Sequence, residues 1–158
     1  MLEGSASARI LSYEDVPLMN QDIEFSAPVS VARVRAEVQA SDGIWIFTPE
    51  YNGSYPGGLK NLLDWLSRPL VGDGSSRETA LTGKKMAISS VAGKSAGAGA
   101  REKLAELLGV MRLDVMAEPQ MGVALPGDAF STDEFELTEE QRGELAAQGQ
   151  AFLEYLDA

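Results

Sequence analysis

Ile44-Trp45-Ile46-Phe47-Thr48-Pro49-Glu50-Tyr51-Asn52-Gly53-Ser54-Tyr55-Pro56-Gly57-Gly58 is the stretch on which the fold turns. Its first four residues are a continuous apolar run with turn-forming residues on both sides, the pattern of a strand buried on both faces of a parallel sheet. The loop that follows holds two prolines and three glycines. Proline fixes φ and glycine permits positive φ or close backbone approach, so the loop is stiff and points its amides in chosen directions. Tyr51 adds an aromatic face. An ordinary strand-to-helix turn, with Tyr51 packed on a neighbour, has the same composition.

Outward from that strand, apolar runs and helical periodicities alternate. On the C-terminal side, Leu59, Leu62, Leu63 and Leu66 mark one face of a helix. Lys85 to Ser89 reads as a strand, followed by a Gly-rich turn and a helix with Ala100, Leu104, Leu107 and Leu108 on one face. Gly109 stands where a C-cap glycine is expected. Leu113 to Met116 reads as the next strand, continued or replaced by Met121 to Val123, and Thr138-Glu139-Glu140-Gln141 is a capping box opening a last helix that buries Leu145, Phe152, Leu153 and Leu156. On the N-terminal side, Val31, Val34 and Val38 fall at helical spacing within 28–40, and Arg9 to Tyr13 reads as a short strand. This alternation predicts an α/β doubly wound sheet with right-handed crossovers. The polar segment from Val71 to Ser76 is a loop within the domain, because periodic segments continue on both sides of it. Residues 1–158 are expected to form one domain.

Composition narrows the chemistry. The chain has no cysteine and no histidine. Thiol nucleophiles, thiolate metal sites and Ser-His-Asp triads are therefore excluded, and no metal site is expected. Hard chemistry on such a chain falls to a cofactor. A net charge of −11 opposes nucleic-acid binding, which draws affinity from neutralised phosphates. Ten acidic residues against Arg142 alone, from Glu118 to Ala158, read as a solvated acidic surface. No segment approaches the roughly 18 apolar residues a membrane helix needs, and the first residues lack a signal-peptide pattern. No membrane partner and a cytoplasmic location are expected.

In open α/β sheets ligands bind beyond the carboxyl ends of the strands. Two loops leave such ends, Thr48 to Gly58 and Ser89 to Gly99. The second is no Walker A loop, since a loop ending Gly93-Lys94-Ser95 would need glycine where Ile88 stands. Gly97-Ala98-Gly99-Ala100-Arg101-Glu102 starts like a dinucleotide fingerprint and ends in glutamate.

Thr48 to Ser54, then Pro56-Gly57-Gly58-Leu59-Lys60-Asn61 and Asp64-Trp65-Leu66-Ser67-Arg68, resembles the signature of the NAD(P)H-dependent FMN reductases, a family that includes quinone, azo-dye and chromate reductases. The resemblance implies a flavodoxin-like three-layer α/β sandwich with a mostly parallel sheet. It implies FMN as cofactor, NADPH or NADH as co-substrate and a small oxidant as the second substrate. It further implies that Pro49, Glu50, Tyr51, Asn52 and Gly53 line the ring and ribityl chain, largely through backbone groups. Ser89, Ser90 and Gly93 carry over as the second flavin loop. Lys60, Asn61 and Asp64 orient the first loop, and no residue is assigned a catalytic proton transfer. Relatives form dimers or tetramers, for which Trp65 and the loop from Pro69 to Thr82 are interface candidates; a core role for Trp65 is the alternative.

The sequence departs from the family pattern at its start. The first strand, the phosphate-binding loop Gly-Ser-x-Arg-x-x-Ser-x-Asn and the first helix are not found, and Met1-Leu2-Glu3-Gly4 resembles the end of that helix. In the strand order 2-1-3-4-5 the first strand lies between the second and third. The expected domain is therefore N-terminally incomplete: a truncated version of a longer protein, a sheet completed by another chain, or a sheet closed around the gap. The rival to a reductase is a remnant of the fold that holds FMN weakly or not at all and acts through subunit or partner contacts. A flavodoxin-type electron carrier would suit the acidic charge, but the Pro49-to-Asn61 motif counts against it.

Overall fold

The computed structural model describes residues 6–158. Met1 to Gly4, read above as a helix end, lies outside them. The elements run α1 (Val29–Gln39), β1 (Gly43–Pro49), α2 (Gly57–Leu66), β2 (Lys85–Ala92), α3 (Ala98–Val110), β3 (Asp114–Val115), β4 (Met121–Ala124), α4 (Ala129–Thr132) and α5 (Glu139–Asp157). A 3-10 turn at Gln21–Ile23 precedes α1.

β2 is the centre of the sheet. It pairs in parallel with β1 from Gly43↔Lys85 to Pro49↔Val91, and its other edge pairs in parallel with β3 at its start and β4 at its end. β3 and β4 are thus one strand position interrupted by an irregular stretch that contains Pro119. Proline has no amide to give the ladder, so the pairing breaks there and resumes at Met121. Of the two sequence readings, continuation is the one realised: Met121 to Val123 extends the strand begun near Asp114 and does not replace it.

Alternation along the strands sends residues to two different layers. Ile44, Ile46, Met86 and Ile88 face α1, α2 and α3, in a core with Val34, Val38, Leu59, Leu62, Leu63, Leu66, Leu104 and Leu108. Trp45 and Ala87 face α5, where Phe152 and Met116 complete a smaller cluster. The result is a three-layer α/β sandwich with every described strand pair parallel, as the sequence implied.

Four expectations need correction. Arg9 to Tyr13 forms no strand, and Ile10 is 94% exposed. In the order 2-1-3-4-5 that strand's neighbour is the first strand rather than β1, and the described residues supply none. The segment is held instead by side chains: Arg33 Nη1 donates to Ser12 O at 2.9 Å and Arg33 pairs with Asp15. Gly109 lies inside α3, and Arg112 at φ 58 takes the left-handed position after the helix end. Trp65 is wholly buried and donates Nε1–H to Pro17 O at 2.8 Å, so it is a core residue and no interface element. Leu145, Leu153 and Leu156 are half-buried, while the fully enclosed residues of α5 are Gln148, Gly149 and Phe152.

Candidate functional site

The carboxyl ends of β1 and β2 lie side by side. Pairing of Phe47 with Ser89, Thr48 with Ser90 and Pro49 with Val91 brings the two loops together, and Glu50 N donates to Val91 O at 3.2 Å as the strands part. The first loop then reverses in a tight turn. Tyr51 N donates to Ser54 O at 2.8 Å and Ser54 N to Tyr51 O at 3.1 Å, with Asn52 at φ 53 and Gly53 at φ 71 between them. Two consecutive positive φ values explain why Asn-Gly stands here.

The turn faces outward. Tyr51 is 63% exposed, and a Cβ built on Gly53, Gly57 or Gly58 would meet nothing within 4 Å. Among the described residues, the amides of Asn52 and Gly53 have no hydrogen-bond acceptor. This donor set fits a flat heteroaromatic ring: a stiff backbone edge with free N–H groups, an aromatic face and open space.

Glu50 carries the only acidic side chain of the predicted set. Its Oε1 accepts from Ser95 Oγ at 2.9 Å and its Oε2 from the Ala100 amide at 3.0 Å. The Ser95 bond first, and the Ala100 amide next, hold its pKa below the ordinary glutamate value.

In the second loop the predicted residues are placed beside the first loop, but their hydroxyls are committed. Ser89 Oγ donates to Gln148 Oε1 at 2.8 Å and accepts from Trp45 Nε1 at 2.8 Å. Ser90 Oγ donates to Ala96 O at 2.8 Å and accepts from Arg101. Both serines are buried, so their contribution to a ligand is a backbone one. Gly93 lies in the loop itself, with the Phe130 ring 3.9 Å from where its Cβ would be.

Sequence reasoning missed Gln148. Its side chain is fully buried, donates to Ile88 O at 2.8 Å and accepts from Ser89 Oγ and from the Met121 amide at 2.9 Å. It fixes the middle of β2 and the start of β4 to α5. A glutamine at a position in register with Leu145 and Phe152 on the buried face of α5 was the available signal.

An apolar cavity of about 300 Å³ opens beside this region on the α5 face, lined by Phe47, Pro49, Val91, Val123, Phe135 and Leu145 among others. None of its lining side chains is titratable. Among the described residues there is no cluster able to hold a metal ion and no helix long and apolar enough to cross a membrane.

Comparison with known proteins supplies the family. Residues 2–126 match the family described as NADPH-dependent FMN reductase. A quinone reductase of Pseudomonas putida is 37% identical over 118 residues, which are 73% of this chain and 60% of that protein. A quinone reductase of Escherichia coli K12 is 37% identical over 112 residues, 69% of this chain and 56% of that one. The chain thus spans somewhat under two thirds of the length of these relatives. Among solved structures, the flavoenzyme NAD(P)H:(acceptor) oxidoreductase FerB from Paracoccus denitrificans superposes with a TM-score of 0.80 at 30% identity, over 99% of this chain and 83% of that one.

Proposed function

Because the chain belongs to the NADPH-dependent FMN reductase family, we propose that the protein passes hydride from NAD(P)H, through bound FMN, to a small oxidant such as a quinone. The observation that carries this reading is the pair of loops locked side by side at the ends of β1 and β2, with free amides at Asn52 and Gly53 and an exposed Tyr51 ring. FMN, when bound, supplies the hydride-accepting and hydride-donating centre.

The chain's own residues bind and orient. Pro49, Glu50, Tyr51, Asn52 and Gly53 offer a ring-sized backbone edge and one aromatic face, and Ser89, Ser90 and Gly93 offer backbone from the second loop. No side chain needs to move a proton, in agreement with a site that lacks histidine and cysteine. The rate contribution expected of such a site is orientation of donor and acceptor over the ring, so the space between the two loops sets the oxidant range.

Three further elements complete the reading. The outer edge of β1 has no partner among the described residues, and Phe47 on that strand is 62% exposed, stacked on Trp45 at 4.9 Å. A single flavodoxin-like domain with an additional strand along this edge would satisfy both the backbone and the ring. The protein works as a homodimer or homotetramer, with the exposed Tyr51 and Phe130 rings near the site as contact candidates. NAD(P)H is a cytoplasmic reductant, which puts the activity in the cytoplasm.

One observation favours a second reading. Among the described residues no phosphate-binding loop accompanies the flavin loops, and the first turn of α3 already holds the Glu50 carboxylate. A chain of this kind could hold FMN too weakly to turn over and serve instead as a subunit contact. Incubation with FMN followed by desalting separates the two. A yellow protein whose flavin absorbance is bleached by NADPH under anaerobic conditions, and restored by a quinone, supports the reductase; a colourless protein refutes it for this chain.

A further inference from the structure

We propose that the Glu50 side chain is a positioning residue that clamps the first loop to the second, acting on the start of α3 rather than on the cofactor. Its consequence for FMN rests on the function proposed above, whereas the clamp itself is a property of the protein alone.

α3 begins without a cap of its own. Its N-cap is Gly97, at φ 76, which has no side chain to bond the first turn. The flanking Ser95 Oγ reaches only the Gly97 amide, at 3.4 Å. The first amides of any helix need acceptors from elsewhere, and the positive end of the helix dipole favours a carboxylate there. Glu50 supplies both from the other loop: Oε2 takes the Ala100 amide, at the third helical position, and Oε1 takes the Ser95 hydroxyl just before the helix. One carboxylate therefore ties residue 50 to both sides of the helix start.

The glycines around it make the approach possible. A Cβ at Gly99 would stand 3.1 Å from Glu50 Oε2 and 3.1 Å from Gly53 O, closer than ordinary van der Waals contact. The first loop thus lies directly on the α3 backbone, and the Asn52-Gly53 turn rides on it. Arg101 on α3 is the charged group acting on Glu50, and it favours the carboxylate. Arg101 is itself anchored to Ala96 O at 2.8 Å and to Ser90 Oγ. The clamp therefore spans four points: Glu50, Ser95, Ala100 and, through Arg101, the end of β2.

A carboxylate in this position is spent internally. The start of α3 is then closed to a phosphate, and the spacing between the two loops is set before any cofactor arrives. Preorganisation of this sort lowers the ordering cost of binding.

The test uses the full chain without cofactor. In the wild type, the Ala100 amide resonance and those of Asn52 to Ser54 should follow one common pH titration with a midpoint below the ordinary glutamate value. In Glu50→Gln that titration should vanish. In Glu50→Ala, amide exchange at Ala98 to Arg101 and at Tyr51 to Ser54 should rise together by roughly tenfold or more, the scale of a lost charge-assisted bond. Exchange at Ile46 and Ile88 should stay unchanged. Survival of the Ala100 titration in Glu50→Gln, or independent responses of the two loops, overturns the clamp. A parallel FMN titration separates the two proposals: wild type that binds no FMN refutes the function while the amide data still decide the clamp, and unaltered FMN affinity in Glu50→Ala refutes the clamp's role in binding.

Discussion

Replacing Gln148 by leucine probes the polar tie that fixes α5 to the middle of β2 and the start of β4. Gln148 is wholly buried and makes three bonds: to Ile88 O, from Ser89 Oγ and from the Met121 amide. Leucine keeps the volume and removes all three. The Met121 amide and the Ser89 hydroxyl proton are left without partners, and each buried orphan costs about 1–3 kcal/mol. The carbonyl of Ile88, with a second lone pair, costs less. Burial of the new methyl groups returns about 1–2 kcal/mol. The net loss is about 2–4 kcal/mol, a large share of the roughly 5–15 kcal/mol that holds a domain together. Denaturant unfolding followed by fluorescence of Trp45 and Trp65 measures it. Ser89→Ala makes the check specific: it removes one of the same bonds, so the double variant should be less destabilised than the sum of the singles by about 1 kcal/mol. A Gln148→Leu loss under about 1 kcal/mol, or strict additivity with Ser89→Ala, would refute the tie.

Tyr51→Ala should weaken FMN retention by roughly tenfold, in keeping with loss of an exposed aromatic contact; equilibrium dialysis that finds unchanged retention would remove Tyr51 from the ring site. Because the folded-state pKa of Glu50 is depressed, its stabilising effect is full above the ordinary glutamate pKa and is lost as pH falls through the lower folded value. The stability difference between wild type and Glu50→Gln should accordingly be flat near neutral pH and shrink in acid, and a difference that grows on acidification contradicts the sign. Thr138 Oγ1 accepts from the Gln141 amide at 3.2 Å while the Gln141 side chain accepts from Thr138 N at 2.9 Å. Thr138→Ala should therefore cost about 1 kcal/mol in thermal or denaturant unfolding; no measurable cost would mean that α5 does not depend on its capping box.

The parts of the fold legible in the sequence are those in which local pattern and tertiary role coincide. Val31, Val34 and Val38 mark α1 because their spacing is that of the face they bury. Ile44 to Phe47 is a strand as its apolar run implied, but not one buried on both faces. Among the described residues β1 is an edge strand, only Ile46 of the four is buried and Phe47 is 62% exposed, because the run reports apolar content and not which neighbours cover it. Thr138 to Gln141 is legible because a capping box is a purely local device. Where a residue's partner lies far along the chain, the pattern is silent. Arg9 to Tyr13 has a strand's composition, but a strand exists only with a neighbour to pair with, and the described residues offer none. Trp65 could have faced a subunit; Pro17 O, far away in sequence, draws its indole inward. The sequence picked out the two strand-end loops that the structure sets side by side, and Glu50 within the first, yet the bonds of its carboxylate depend on Ser95 and Ala100 at the start of α3. Ser89 and Ser90 similarly look like ligand hydroxyls until Gln148, Ala96 and Arg101 are brought beside them.

The apolar cavity is better explained by the sheet than by the flavin site. The surface it presents is almost entirely apolar although Thr48, Ser89 and Ser90 border it, the two serine hydroxyls being bonded elsewhere. A flavin edge calls for donors, and the amides of Asn52 and Gly53 lie in the turn of the first loop. The Glu50 clamp that holds this turn is built on α3, on the opposite side of the sheet from α5. Parallel sheets are normally covered on both faces. Here α5 covers β2 and β4 through Gln148 and reaches the first half of β1, where Leu156 and Phe152 lie against Gly43 and Phe152 meets Trp45 edge to face at 6.0 Å. Phe47, one step further along β1, is left at the rim. The cavity runs across β1, β2 and β4 between these strands and Phe135, Leu137 and Leu145. A strand added along the unpaired edge of β1 would cover Phe47 without moving either of the two strand-end loops, because both are already held by β2 and α3.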